Sequence, residues 1–385
     1  MKRLVLLVFA LLGVGLLLAA PALAHASVVG SDPVDGSRLK TAPHEVVITF
    51  DEPVGIDGVG YLHVIDQHGH SVDAGKAFHP NGDGPKVADR LQPHLGDGTY
   101  TASYRVISAD SHPVAGVIHF VVGNGPLVVT AANTGTTATT NPVVRAAFDV
   151  VRWVSYLGFA LLGGAWLVLT VWPAGRFDLR ARRLLWTGWG ATAFGAAAEL
   201  LLQGPFSAGT GLQTIARPSL LSDALHGSYG QLHSVRLVLL GLLALVLAGS
   251  LQDTTDDAPR REAALLLGVG IALTFSAAGH ADTTSPSWIS VPLDMAHLLA
   301  MAAWLGGLIM LTVAILPRRD PRELREVLPT FSNVAFCSVV VLAGTGAWAA
   351  WNGIGTTSAA TTTYALLVFG KIALFVGLLA LGNLS

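Results

Sequence analysis

Residues 148–171 read FDVVRWVSYLGFALLGGAWLVLTV, and the chain changes character here. A helix needs about 20 mostly apolar residues to cross the ~30 Å hydrocarbon core of a bilayer, and this stretch supplies them. Further stretches of the same kind follow at 184–203, 232–251, 263–280, 293–316, 330–351 and 364–384. Upstream the pattern differs. Residues 25–124 hold short β-branched or aromatic runs, Glu45–Phe50, Tyr61–Ile65, Thr99–Ile107 and Val114–Val122. Turn signals separate them: Asp35-Gly36, His68-Gly69, Asn81-Gly82 and Gly96-Asp97-Gly98. Alternation such as Tyr100-x-Ala102-x-Tyr104 marks half-buried strands. The expected fold is therefore multi-domain. An all-β sandwich or barrel occupies 25–124, a polar linker 125–146, and an all-α polytopic membrane domain of at least seven helices 147–385.

Composition agrees with a membrane chain. Only 12% of the 385 residues are charged and 52% are hydrophobic, whereas soluble proteins carry about 25% charged residues. Mean hydropathy is +0.56. A net charge of −2 offers no basic surface, which excludes nucleic acid as a partner. Residues 1–24 have the layout of a secretory signal: Lys2 and Arg3, an apolar Leu4–Leu18, then Ala22-Leu23-Ala24. An uncleaved first membrane helix is the alternative. Cytoplasmic loops collect Lys and Arg. The loops after spans one, three and five carry Arg176, Arg180, Arg182 and Arg183, then Arg260 and Arg261, then Arg318, Arg319, Arg322 and Arg325. Between spans two and three stands Arg217 alone. These loops are thus read as cytoplasmic, with the β-domain outside a bacterial plasma membrane.

Soft metal ligands are scarce: Cys337 is the one cysteine, and the chain has 4 methionines against 13 histidines. Metal chemistry must therefore rest on imidazole and carboxylate. Cleavage after Ala24 would make His25 the N-terminus, where α-amino and imidazole nitrogens can chelate one metal. Copper(II) prefers nitrogen and oxygen ligands in tetragonal array. Asp110-Ser111-His112 supplies a carboxylate and a second imidazole on one side of an extended segment. Taken alone, an Asp-x-His is more often solvated than ligating.

The surrounding residues strengthen it. His25-Ala26, Ser31-x-Pro33-x-x-Gly36, Ala42-Pro43, Val46-x-Ile48-x-Phe50 and Glu52-Pro53-Val54 occur in order. Gly98-Thr99-Tyr100, Tyr104-Arg105-Val106 and Ser108-Ala109-Asp110-Ser111-His112-Pro113-Val114-x-Gly116 follow. Together they resemble the CopC copper-resistance domain across 25–124. The resemblance implies a Greek-key β-barrel and a copper(II) site of His25, Asp110 and His112. Some members add a Met-rich copper(I) loop; residues 25–124 contain no Met. His63, His68, His70 and His79 are better read as solvated loop residues than as a second site, and His119 as packed or at the rim.

Ionisable residues inside spans are costly and mark function by default. Here they gather toward the outer ends: Glu199 and Gln203, His233 and Arg236, His280 and Asp282, Asp294 and His297. Asp294 and His297, three apart, share a helix face. The candidate membrane copper site is His280, Asp294, His297, His233 and Glu199; headgroup contact or capping is the plainer reading of any one of them. Lys371 could pair with Glu199 or snorkel outward. Gly279-His280-Ala281, Asp294-x-x-His297-Leu298-x-Ala300-x-x-x-Trp304-Leu305-Gly306-Gly307-Leu308, Phe331-Ser332-x-x-Ala335, Ser338 with Thr345-Gly346, and Lys371 with Leu381-Gly382 resemble the CopD copper-resistance membrane family over 146–385. That family carries one more span than is read here, so the chain is expected to continue beyond Ser385.

The reading is copper(II) capture outside the membrane and copper import through the helical domain, by a non-enzyme whose partners are copper and the lipid bilayer. Oligomeric state is not readable. No P-loop appears, so this chain is not expected to pump with ATP. The alternative is a membrane redox protein, haem- or copper-linked, that reduces or buffers copper without transporting it. A copper-buffering domain on an inert anchor fits seven spans poorly. Oxidative catalysis at a histidine brace would use the same outer ligands.

Overall fold

The computed structural model describes residues 26–51, 53–56, 61–108, 113–125, 141–252, 258–279 and 287–354. The signal segment 1–24 and the span read at 364–384 lie outside the described residues.

The first region folds as eight strands: β1 Val28–Asp32, β2 Ser37–Leu39, β3 Glu45–Phe50, β4 Val54–Gly55, β5 Tyr61–Asp66, β6 Lys86–Arg90, β7 Gly98–Ser108 and β8 Pro113–Val122. They form a three-stranded sheet, β1-β3-β6, and a five-stranded sheet, β2-β8-β7-β4 with β5 also on β7. Only β2 runs parallel to its neighbour β8. The four runs picked out by alternation are β3, β5, β7 and β8. In β3 the burial alternates along EVVITF, sending Val46, Ile48 and Phe50 inward. The less visible β6, KVADR, buries three successive residues, so no period of two shows. Inward faces of both sheets meet in one core containing Ile48, Leu62, Ala102, Val106 and Phe120, with Phe50 edge-on to Tyr104 at 5.7 Å.

Among the described residues seven α-helices follow: α1 Pro142–Gly163, α2 Leu179–Ala208, α3 Pro218–His226, α4 Ser228–Ser250, α5 Ala258–Ala277, α6 Ser287–Met310 and α7 Pro321–Ile354. Asn141 starts α1, its side chain accepting from the N–H groups of Val143 and Val144, with Pro142 at the first helical position. Among the described residues four segments are long and apolar enough to cross a membrane: Pro142–Val171, Tyr229–Ser250, Trp288–Arg318 and Pro321–Ala350. The reading of at least seven spans is thus only partly matched. The stretches at 184–203 and 263–280 are helical, in α2 and α5, but fall short of that apolarity. Helix α5 opens on Arg260, Arg261 and Glu262, and α2 is built largely of Gly, Ala and Thr. Such small residues let helix backbones approach closely. Where α1 meets α6, a Cβ on Gly163 would collide with the Ala302 carbonyl, and one on Gly306 with that of Ala160. The Trp166 indole donates to Ala303 O at 3.0 Å and that of Trp189 to Leu240 O at 2.8 Å, clipping α1 to α6 and α2 to α4.

Two of the arginine-bearing loops meet at one end of the bundle. Asp178 caps α2 by accepting from Arg180 N at 2.8 Å and Ala181 N at 3.0 Å, and pairs with Arg318 Nη1 at 3.0 Å. Arg318 also donates to Glu323 at 2.8 Å. Burial pushes the Asp178 carboxyl up, but the Ala181 N–H, the Arg318 guanidinium and the Arg180 N–H outweigh it and hold the group below the ordinary carboxylate value.

Candidate metal sites

His25, Asp110 and His112 lie outside the described residues, but their flanks are placed. Ala26 is buried in the β-core. Ser27 N donates to Asp51 Oδ1 at 2.6 Å, and Asp51 N returns to Ser27 O at 3.0 Å. Three residues beyond Asp51, β4 pairs with the end of β7, Val54 opposite Ser108 and Gly55 opposite Ile107. Ile107 also faces Pro113 across β7 and β8, so residues 109–112 join those strand ends. The chain leaving position 25 and the two ends of the Asp110/His112 segment are therefore tied to one short stretch, Asp51 to Gly55.

The loop histidines do not gather. His70 Nδ1 sits 3.2 Å from Asp66, and the His79 Nδ1–H donates to Lys86 O at 2.7 Å. Burial pushes Asp66 up, yet the N–H groups of His70 and His68 prevail and leave it lowered. His63 instead pairs with Asp73. His119 is half-buried, 3.9 Å from Asp35.

In the helical region, Glu199 of α2 and His233 of α4 meet, buried, at 3.2 Å. The Tyr229 hydroxyl donates to the same Glu199 oxygen at 2.9 Å, while Glu199 Oε1 is buried without a hydrogen-bond partner. Around them Arg236 lies fully buried, its Nη1 3.2 Å from His233 Nε2. Its other guanidinium nitrogens donate to Thr274, Nε to the hydroxyl at 3.0 Å and Nη2 to the carbonyl at 2.9 Å, and it stacks on Phe275 at 3.6 Å. His233 Nδ1 lies 2.8 Å from the Tyr229 carbonyl, to which it can only donate. Nε2 can then accept from Arg236 Nη1, which sets a guanidinium beside both the imidazole and the Glu199 carboxylate. Both ring nitrogens are engaged, so His233 could serve a haem iron only by giving up Glu199 and Arg236.

Of the remaining expected ligands, Asp294 is exposed and His297 half-buried on α6, and His280 lies outside the described residues. Met295 and Met301 pack against the helical core and Met310 is buried in a second cluster, which accounts for them as packing residues. Cys337 is exposed. Lys371 lies outside the described residues. Tyr229 and Thr274 were not foreseen; only the spacing of Tyr229 four residues before His233 hints at it.

The CopC domain family matches residues 28–123 and the copper resistance protein D family residues 325–384. "Copper transport protein CutJ" of Bacillus subtilis (strain 168) is 28% identical over 371 residues, covering 93% of this chain and 67% of that protein. "Copper resistance protein C" of Pseudomonas syringae pv. tomato is 33% identical over 117 residues, 29% of this chain and 91% of that protein. Among solved structures, CopC from Methylosinus trichosporium OB3b is 23% identical with a TM-score of 0.24, covering 28% of this chain and all of that one. A CopC domain and a copper resistance protein D domain thus stand in one polypeptide, and the chain belongs to the copper resistance family.

Proposed function

We propose that this chain captures copper(II) outside the cell membrane and imports it through its helical domain. In this reading His25, Asp110 and His112 form the capture site on a Greek-key β-domain. Seven or more spans carry the arginine-bearing loops on the cytoplasmic side. Glu199 and His233 form the first membrane station, with Asp294, His297 and His280 extending it. The chain binds and moves copper rather than transforming a substrate.

The observation that carries the proposal is a cavity of about 100 Å³ lined by Gly55 and Ile107 of the β-domain and by Gln203, Ser207 and Tyr229 of the helices. Ile107 adjoins the segment that bears Asp110 and His112, and Tyr229 donates to Glu199. In this reading a cation that passes the cavity next meets the buried Glu199–His233 pair, which lies one hydrogen bond behind the Tyr229 hydroxyl. The relatives' printed names, copper transport and copper resistance, support a role in copper handling.

The test is copper entry into vesicles holding the purified chain, offered copper(II) and copper(I) in separate runs. Copper(II) accumulation that fails in His112→Ala is expected. Equal accumulation by vesicles with and without the protein would sink the proposal.

A further inference from the structure

A second cluster of metal-ligating groups lies in the β-domain, apart from the Asp110/His112 segment. His63 on β5, Asp73 in the following segment and Asp89 on β6 each present a ligand atom, all within 4.8 Å of one another. Asp73 and His63 are held by the groups around them. Asp73 Oδ1 accepts from Val64 N at 2.6 Å, and its Oδ2 takes the Ser71 hydroxyl at 3.0 Å and faces His63 Nδ1 at 2.9 Å. The His63 ring stacks on Tyr61 at 5.2 Å, which fixes its plane. Asp73 also bridges Leu91, two residues past Asp89, drawing the segment onto β6.

Asp89 is the informative member. It is 1% exposed, and both carboxylate oxygens are buried without a hydrogen-bond partner. Native folds rarely leave a buried carboxylate so, because the lost hydration has to be replaced by hydrogen bonds or a cation. The Arg90 guanidinium does not serve, since it sits over the Phe78 ring at 5.1 Å, and the Arg90 backbone N–H is the weakest of the influences on the Asp89 carboxyl. Burial, with the Asp73 carboxylate beside it, pushes Asp89 up to about 6.

The geometry points to a second metal site, His63–Asp73–Asp89, that takes a divalent first-row cation of the copper(II) or zinc(II) kind. One imidazole and two carboxylates form a borderline-to-hard set, unsuited to copper(I), which selects thiolate and thioether. The cation would bridge the facing carboxylates and occupy the unpartnered oxygens of Asp89. The inference does not rest on the capture site proposed above, because the two ligand sets share no residue.

The experiment uses the full chain in detergent, stripped with chelator, then titrated with copper(II) followed by EPR and with zinc(II) followed by calorimetry. Wild type is expected to take up one equivalent more than His63→Ala or Asp89→Asn, or to bind that equivalent at least about tenfold more tightly. The equivalent lost in His112→Ala should remain in both variants. Should Asp89→Asn fail to fold, His63→Ala decides alone, since its ring is 61% exposed and its loss leaves the core intact. Wild-type stoichiometry and affinity for both metals in the folded variants would overturn the site. Loss of the His112 equivalent alone would refute this site and leave the capture reading standing.

Discussion

At the scale of single residues, the decisive group is Glu199, with one oxygen shared by Tyr229 and His233 and the other unpartnered. Removing one partner of such a buried charged cluster leaves the rest uncompensated, at a cost of about 3–5 kcal/mol. Glu199→Ala is therefore expected to melt much earlier than wild type. Glu199→Gln keeps the shape and a donor for His233 but withdraws the negative charge. It should fold and bind copper at the outer domain, while vesicle uptake falls by at least about tenfold. Uptake at the wild-type rate by folded Glu199→Gln would remove Glu199 from the route. A second residue carries a pH signature. Asp178, lowered in the folded chain, contributes stability that is fully present above its ordinary value of 3.8 and is lost as pH falls through the lower folded value. Asp178→Ala should cost about 1–2 kcal/mol at pH 7, the worth of an N-cap. Melting scans from pH 7 to pH 3 check this, since the gap between mutant and wild type must narrow only below about 4.

At the scale of elements, the strands show which parts of a chain announce themselves. Tyr100, Ala102, Tyr104 and Val106 alternate along β7 with Thr101, Ser103 and Arg105, and the period of two is readable from that change of residue type although nearly the whole strand is buried. Strand β6 offered no such contrast, since Val87, Ala88 and Asp89 are all buried. The same burial hid Asp89 as a candidate ligand. Among the helices, Glu199 and His233 were legible because ionisable groups in apolar segments are expensive. Their partners Tyr229 and Thr274 were not, since Tyr and Thr are common near helix ends and only the crossing of α2, α4 and α5 brings them in. Small residues were legible as composition but not as contacts. Gly306 is the clearest case: α1 lies so close to α6 that a side chain there meets the Ala160 carbonyl and the Gly164 amide. Gly306→Val should therefore force the two helices apart, lowering folded yield and melting temperature. Gly190→Val, with open space around the position, serves as the control. Equal stability of the two variants would show that α1 and α6 are not packed this tightly.

At the scale of the whole molecule, the question is whether two families in one polypeptide act in series. A β-domain that only buffered copper would need no particular apposition to the helices. The cavity between them argues otherwise, because its β-side wall is Gly55 and Ile107 and its helical wall includes Tyr229, one hydrogen bond from Glu199. Gly55 has only ordinary contact with Ile107 at 3.7 Å and does not need glycine's backbone freedom, so a Cβ can be placed there without strain. Gly55→Leu adds bulk at a residue that lines the cavity of about 100 Å³ and should narrow it. Neither His25, Asp110 nor His112 is altered, so copper(II) binding in detergent should match wild type by EPR. If the halves act in series through this cavity, vesicle uptake should fall severalfold. The two readouts then separate: binding without uptake is the signature of blocked transfer, and loss of both would mean only a damaged capture domain. Wild-type uptake by a stably folded Gly55→Leu chain would place the copper route elsewhere and leave the two domains working independently.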